Sequence, residues 1–374
     1  SLVGSEMCIR DSSCGSWNSL VEQKAPKDDG RRRRAAADPA VAPKPRRSTA
    51  MASLGDQPLQ RLPSGYDELD RVLGGGLVPG SLVLVGGDPG IGKSTLLLQS
   101  ASSMARDRSV LYVSAEESAQ QVKLRWQRLT AERSDLQLLA ETDLELVLEE
   151  LEALRPDVAV IDSIQALHDA DLSSAPGSVA QVRECAAALQ RLAKRQNTAL
   201  LLVGHVTKEG VLAGPKVLEH LVDAVLTFEG DRFASHRLLR AVKNRFGATH
   251  ELGVFEMRGQ GLAEVGNPSE LFLSGERASG VATIVACEGT RPLVVDLQAL
   301  VSTTSYASPR RTATGIAVNR LHQILAVLEK HMGLPLSRFD CYLAVAGGLD
   351  VEEPAADLGA VSYTHLRAHE TVSD

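Results

Sequence analysis

A chain of 374 residues exceeds one ordinary core, and at about 100–200 residues per domain it is expected to hold two or three. Hydrophobic residues make up 44%, charged residues 23%, and the formal net charge is −7, which excludes wholesale disorder, a fibrous repeat and a general polycation. Apolar runs such as Ala199–Val203 are far shorter than the roughly 18 residues of a membrane span, and five scattered cysteines make no secreted disulfide framework, so a soluble cytoplasmic chain with no membrane partner is expected.

Residues 1–12 (SLVGSEMCIRDS) and 361–374 (VSYTHLRAHETVSD) match their neighbours in neither periodicity nor composition. Both resemble translated sequencing-adaptor DNA and are set aside as non-native segments. His365 and His369 stand four apart beside Glu370, but no third ligand is patterned nearby, so they are not read as a metal site. Residues 13–23 (SCGSWNSLVEQ) resemble the second half of a four-cysteine zinc ribbon in which only Cys14 keeps its register. A tetrahedral structural site needs four ligands, so this remnant is expected not to hold Zn²⁺. Residues 24–57 read as a basic linker. Arg31–Arg34, Lys44, Arg46 and Arg47 stand against one acid, Asp38, with three prolines interleaved. Such a stretch cannot bury a core; it reads as a solvated linker, with a nucleic-acid-attracting tether as the other reading.

From residue 58 to 275, short apolar runs alternate with helical periods, the pattern of an α/β fold with a mainly parallel central sheet. The expected strands are Ser81–Gly86, Val110–Ser114, Asp157–Ile161, Ala199–Gly204 and Ala224–Phe228. Their near-continuous apolarity suits burial on both faces. Runs at His236–Ala241, Glu251–Met257 and Gly261–Val265 alternate more and read as antiparallel additions. A second unit follows over 276–360. SGVATIVACEG and RPLVVDLQALV are strand-like, Gly315–Met332 puts Leu321, Ile324, Leu325 and Leu328 on one helical face, and Cys341–Ala346 is a further strand.

The strongest chemical signal is GDPGIGKS, Gly87-Asp88-Pro89-Gly90-Ile91-Gly92-Lys93-Ser94, followed by Thr95. It lies between a strand and a helix, as a phosphate-binding P-loop requires. Gly87, Gly90 and Gly92 let backbone N–H groups curl around phosphate oxygens, Lys93 meets the β- and γ-phosphates of ATP, and Ser94 ligates Mg²⁺. Asp162, ending the run VAVIDS, reads as the second Mg²⁺ group. Hydrolysis needs a group that orients or deprotonates water. VLYVSAEES offers Glu116 and Glu117, whose side chains should diverge; Glu116 is the choice for catalysis, with Glu117 solvent-facing or salt-bridged. His205, Thr207 and Lys208 end another strand and read as a γ-phosphate sensor.

Together, RLPSGYDELDRVLGGGLVPGSLVLVGGDPGIGKSTLLLQ, VLYVSAEES, VAVIDSIQ, GHVTKEG and AVKNRFG resemble the RadA (Sms) family of bacterial DNA-repair proteins. These are RecA-like ATPases close to DnaB-type replicative helicases. The likeness covers about residues 13–360, and KNRFG (Lys243, Asn244, Arg245, Phe246, Gly247) is the family's own signature. It implies a zinc finger, here a remnant, a RecA-like P-loop ATPase and a Lon-protease-like α+β domain, here truncated. No Ser–Lys proteolytic pair is found. The implied activity is that of a DNA-dependent ATPase and helicase of recombinational repair. It would move on single-stranded DNA as a homo-hexameric ring and drive branch migration of recombination intermediates beside a RecA-type recombinase.

With aromatic residues at 3%, phosphate contacts rather than base stacking are expected to grip the DNA. Lys243 and Arg245 stand two apart at a strand end and are expected to share a face, with Gly247 allowing a sharp turn. One of them, Lys243 first, is the candidate cation reaching the γ-phosphate of a neighbouring protomer. The alternative is a KaiC-like nucleotide-regulated signalling ATPase, whose motor also carries LGGGL before its P-loop. DNA-stimulated turnover separates the two.

Overall fold

The computed structural model describes residues 60–129, 134–205, 215–230, 235–249, 251–273 and 280–361, apart from 307, 352, 355 and 358. The ribbon remnant with Cys14, the basic linker, the terminal segment 1–12, nearly all of the tail, and Thr207 and Lys208 lie outside the described residues.

The first element is a short helix built by its own charges. In α1 (Asp67–Leu73), Asp67, Glu68 and Asp70 occupy the first turn and Arg71 the last, complementing the helix dipole, and Gly74 closes it at φ 82°. There follow β1 (Leu82–Gly87), α2 (Lys93–Met104), β2 (Val110–Ser114), α3 (Ala119–Leu129), β3 (Gln137–Ala140), α4 (Leu144–Leu154) and β4 (Val158–Asp162). Then come α5 (Val179–Gln196), β5 (Ala199–Val203), α6 (Pro215–Leu218), β6 (Ala224–Glu229), β7 (His236–Asn244), β8 (Leu252–Arg258) and β9 (Gly261–Glu264).

These nine strands form one sheet in the order β3-β2-β4-β5-β1-β6-β7-β8-β9. Strands β1 to β6 pair in parallel and β6 to β9 antiparallel, as the switch from continuous to alternating apolarity anticipates. The central strands β1, β2, β4 and β5 are buried at every residue. Their side chains divide between two cores by simple alternation. Val83, Val85, Tyr112 and Val160 join the layer with α2, while Leu82, Leu84, Val113 and Ile161 join the layer with α4 and α5.

Two differences from the sequence reading have local causes. The edge strand β3 was not expected, because its four residues are mostly exposed and its apolar run, Leu138 to Ala140, is only three residues long. β7 extends past Ala241 to Asn244 because β6 offers partners to its end, pairing Val225 with Lys243 and Ala224 with Asn244. A bulge between Val225 and Leu226 pushes Val242 out, leaving it 55% exposed.

A second sheet has the order β10-β11-β13-β12, from β10 (Val281–Glu288), β11 (Arg291–Thr303), β12 (Arg311–Thr314) and β13 (Phe339–Val345). One face is covered by α7 (Val318–Met332), whose Leu321, Ile324, Leu325 and Leu328 are buried at the spacing expected of them. β12 was not expected; its alternating RTAT segment holds no strong apolar signal. The second sheet is fastened to the first. Leu252 and Val254 of β8 belong to its core, Arg291 pairs with the buried Glu68 of α1 at 2.5 Å, and Arg240 of β7 pairs with Glu288.

Candidate nucleotide site

The P-loop leaves the carboxyl end of β1 and runs into α2, the place where ligands meet open α/β sheets. Gly87, Gly90 and Gly92 adopt φ values of 148°, 77° and 118°, a region that side-chain-bearing residues avoid. Nothing lies within 4 Å of where a Cβ would sit on Gly90, so its backbone faces open space. Lys93 is only 3% exposed, and its Nζ donates to the carbonyls of Gly87 at 2.8 Å and Asp88 at 2.9 Å. Burial lowers its pKa, and the nearby carboxylates of Asp162, Asp88 and Glu116 oppose that shift. From behind the loop, Arg237 of β7 donates Nε to the Ile91 carbonyl at 3.1 Å.

Asp162 ends β4 directly opposite the start of α2. Its Oδ1 accepts from Ser94 Oγ at 3.1 Å, and its Oδ2 accepts from the buried Tyr112 hydroxyl at 2.5 Å. Burial first, then the Asp162 charge, raises the Tyr112 pKa well above its usual value, so the phenol stays a donor. Arg125 of α3 stands 3.7 Å from the same carboxylate oxygen.

The two glutamates after β2 diverge. Glu116 Oε1 accepts from Ser163 Oγ and lies 3.3 Å from His205 Nε2. Glu117 turns the other way, to Arg125 at 3.1 Å. The hydrogen bond from His205 is the largest cause holding the Glu116 carboxyl down to about 2; burial opposes it and the Ser163 hydroxyl helps. Glu116 is therefore an ionised but weak base, suited to orienting water more than to removing its proton outright.

Pro89, Gly90, Lys93, Ser94, Thr95, Glu116, Glu117, Arg125 and His205 line one cleft of about 550 Å³, with Met257 across from Gly92. A hydroxyl and a carboxylate at 3.1 Å are a hard-oxygen pair of the kind Mg²⁺ takes when phosphates supply its other ligands. Among the described residues no group of three or more His, Cys, Asp or Glu is placed to hold a metal alone. Nor, among them, is any helix long and apolar enough to cross a membrane.

The signature motif behaves differently from its sequence reading. Lys243 Nζ donates to the carbonyls of Glu219 at 2.5 Å and Val222 at 2.9 Å, and Arg245 pairs with Asp223 at 2.9 Å. Asn244 Nδ2 donates to the Leu73 carbonyl at 3.2 Å, and the Phe246 carbonyl accepts from Arg61. Gly247 does not supply a left-handed turn. It is needed because a Cβ there would come within 3.1 Å of Gly74 Cα, where two backbone segments touch. Tyr112, Arg125, Ser163 and Arg237 were missed. Ser163 follows Asp162 directly, and Tyr112 is a polar atom inside an apolar strand, which were the available signals. Arg125 and Arg237 had none.

An AAA-domain family matches residues 46–211. The chain is 65% identical to DNA repair protein RadA of Synechocystis sp. over 318 residues, covering 80% of this chain and 63% of the relative. It is 52% identical to DNA repair protein RadA of Listeria monocytogenes over 349 residues, covering 92% of this chain and 75% of the relative. Two solved structures are similar: a KaiC-like protein of Pyrococcus horikoshii (19% identity, TM-score 0.46, covering 56% of this chain and 100% of that one) and a DnaB-like replicative helicase (16%, TM-score 0.48, 56% and 63%). The chain thus spans under two thirds of one of these RadA relatives and three quarters of the other, and it belongs to the RadA family of DNA-repair proteins.

Proposed function

We propose that this chain is an ATP-hydrolysing motor that acts on single-stranded DNA and drives branch migration of recombination intermediates beside a RecA-type recombinase. The observation that carries the reading is that Lys93, Ser94 and Glu116 line one cleft and Asp162 meets Ser94 at its edge, from the start of α2 and the ends of β2 and β4. The P-loop backbone and Lys93 hold the phosphates, Lys93 exchanging its two carbonyl acceptors for phosphate oxygens. Ser94 and Asp162 hold Mg²⁺, which neutralises charge on the β- and γ-phosphates when bound. Glu116, fixed by Ser163 and His205, orients the attacking water. In a homo-hexameric ring, a cation of the KNRFG motif completes the neighbour's site. Arg245, its side chain half exposed, is the readier of the two, since Lys243 already serves two carbonyls of its own chain.

The test is ATP turnover with and without single-stranded DNA across a salt series. Stimulation by DNA is expected, with the log–log slope of DNA affinity against salt changing by about 0.7 per phosphate contact. Turnover indifferent to DNA, with no DNA binding at low salt, would remove the motor reading.

A further inference from the structure

Three carboxylates border the cleft, yet the chemistry proposed for it uses one for the metal and one for water. Asp162 meets Ser94, and Glu116 meets Ser163 and His205. The third, Glu117, is adjacent to Glu116 and lines the same cleft. It is turned away by Arg125, which reaches across from α3. Nη1 donates to Glu117 Oε1 at 3.2 Å, and Nη2 stands 3.1 Å from Oε2 as an ion-pair contact, so the guanidinium faces both oxygens and hydrogen-bonds one. The same Nη2 stands 3.5 Å from the Tyr112 hydroxyl and 3.7 Å from Asp162 Oδ2. The Arg125 side chain is 17% exposed and that of Glu117 39%, so the pair is tethered at the cleft wall and open on the Glu117 side.

We infer that Arg125 is a positioning residue that keeps Glu117 off the metal and phosphates, so that Asp162 alone serves the metal and Glu116 alone faces the water. The inference rests on the ATPase reading above. Its physical basis is that a divalent cation favours additional carboxylate oxygens, while a third negative charge beside the phosphates weakens their binding. Glu117 is one residue from the water-orienting group and would be the nearest intruder. A guanidinium suits the task because it is always charged and its planar fork faces both carboxylate oxygens at once.

The test uses the full chain with Mn²⁺, read by electron paramagnetic resonance, and a non-hydrolysable ATP analogue, beside steady-state ATP turnover. Arg125→Met keeps the aliphatic stem and removes the grip. Its turnover is expected to fall about tenfold with KM for ATP within about threefold, while Mn²⁺ binds about threefold more tightly as Glu117 joins it. Adding Glu117→Gln in the same chain should return Mn²⁺ affinity to that of the parent and restore most of the turnover. Arg125→Lys, able to neutralise but not to fork, should fall between the parent and Arg125→Met. Parent-like turnover and Mn²⁺ affinity in Arg125→Met overturn the inference. So does a double variant that binds the analogue yet recovers neither property. Should Arg125→Met fail to fold, parent-like behaviour of Arg125→Lys in both readouts overturns it instead. A parent chain that binds Mn²⁺ and analogue without hydrolysing ATP would sink the ATPase reading, and the Mn²⁺ affinities would still judge the clamp.

Discussion

The two sheets of this chain solve different problems with the same backbone geometry. In the large sheet, four central strands are buried on both faces, so their polar groups gather where the strands end. Glu116 and His205 follow such ends and line one cleft with the P-loop that leaves β1 at Gly87, and Asp162, ending β4, meets that cleft through Ser94. In the small sheet, β11 alternates between buried and exposed residues, and α7 covers one face while Val285 and Leu300 stay about half exposed on the other. Polar groups there spread over a surface instead of converging. Double-sided burial concentrates chemistry, and single-sided burial disperses it.

The sharpest way to break this contrast is to remove the cleft's central charge. Lys93→Ala should lower ATP turnover by about 10²–10³-fold or more, because the ammonium stabilises charge that develops in transfer. Circular dichroism and the unfolding midpoint should show the fold kept, so near-parental turnover would mean the cleft is not the seat of the chemistry. Next is the fastening of the small sheet. Arg291→Ala leaves the carboxylate of Glu68, 8% exposed, with the Val254 N–H as its one remaining partner among the described residues, and should cost about 3–5 kcal/mol in urea unfolding. A loss below about 1 kcal/mol would show that apolar contact through Leu252 and Val254 suffices.

The signature motif ends β7 of the large sheet, held by α1 and the segment before β6. Lys243→Ala strips a donor from the carbonyls of Glu219 and Val222 and should cost about 1–3 kcal/mol. Arg245→Ala should keep nucleotide binding and lose DNA-stimulated turnover. Mixed with a Lys93→Ala chain, it should recover part of that turnover at mixed interfaces, and a lack of recovery in proven mixed rings removes the role in trans.

The cleft also has a pH signature. A carboxyl held at about 2, below its ordinary 4.5, stays ionised above that range, so Glu116 should impose no acid limb on turnover between about pH 5 and 9. Its stabilising contribution is fully present above the ordinary value and fades as pH falls towards about 2. His205→Ala should move the carboxyl titration upward, followed by NMR. The smallest effect concerns thiols. Burial pushes Cys185 up to about 12 and Cys341 to about 11, so iodoacetamide at pH 8 should label exposed Cys287 and spare both until the chain unfolds.

Much of the large sheet was legible because its signals are short-range. The P-loop is one uninterrupted segment, and Asp162 closes an apolar run, so neither needs knowledge of a partner. Strands failed to announce themselves only where burial was partial, as in β3 and β12. Gly247 shows a subtler limit. A glycine can be required by its own backbone or by a neighbour's, and the sequence reading assumed the first where Gly74 imposes the second.

What the sequence by itself determined was the inventory: a phosphate cradle, a metal carboxylate, two candidate glutamates, a pair of cations, and a helix-covered second sheet. Only the tertiary structure decided which members meet. Glu116 and Glu117 are chemically identical and adjacent. They part company because Ser163 and His205 wait on one side and Arg125 on the other, brought there by β4, β5 and α3. Tyr112 looks like core from its strand, yet its hydroxyl stops 2.5 Å from Asp162 because β2 and β4 are neighbours in parallel register. Such assignments depend on distances between elements far apart in the chain, which no local period or motif encodes.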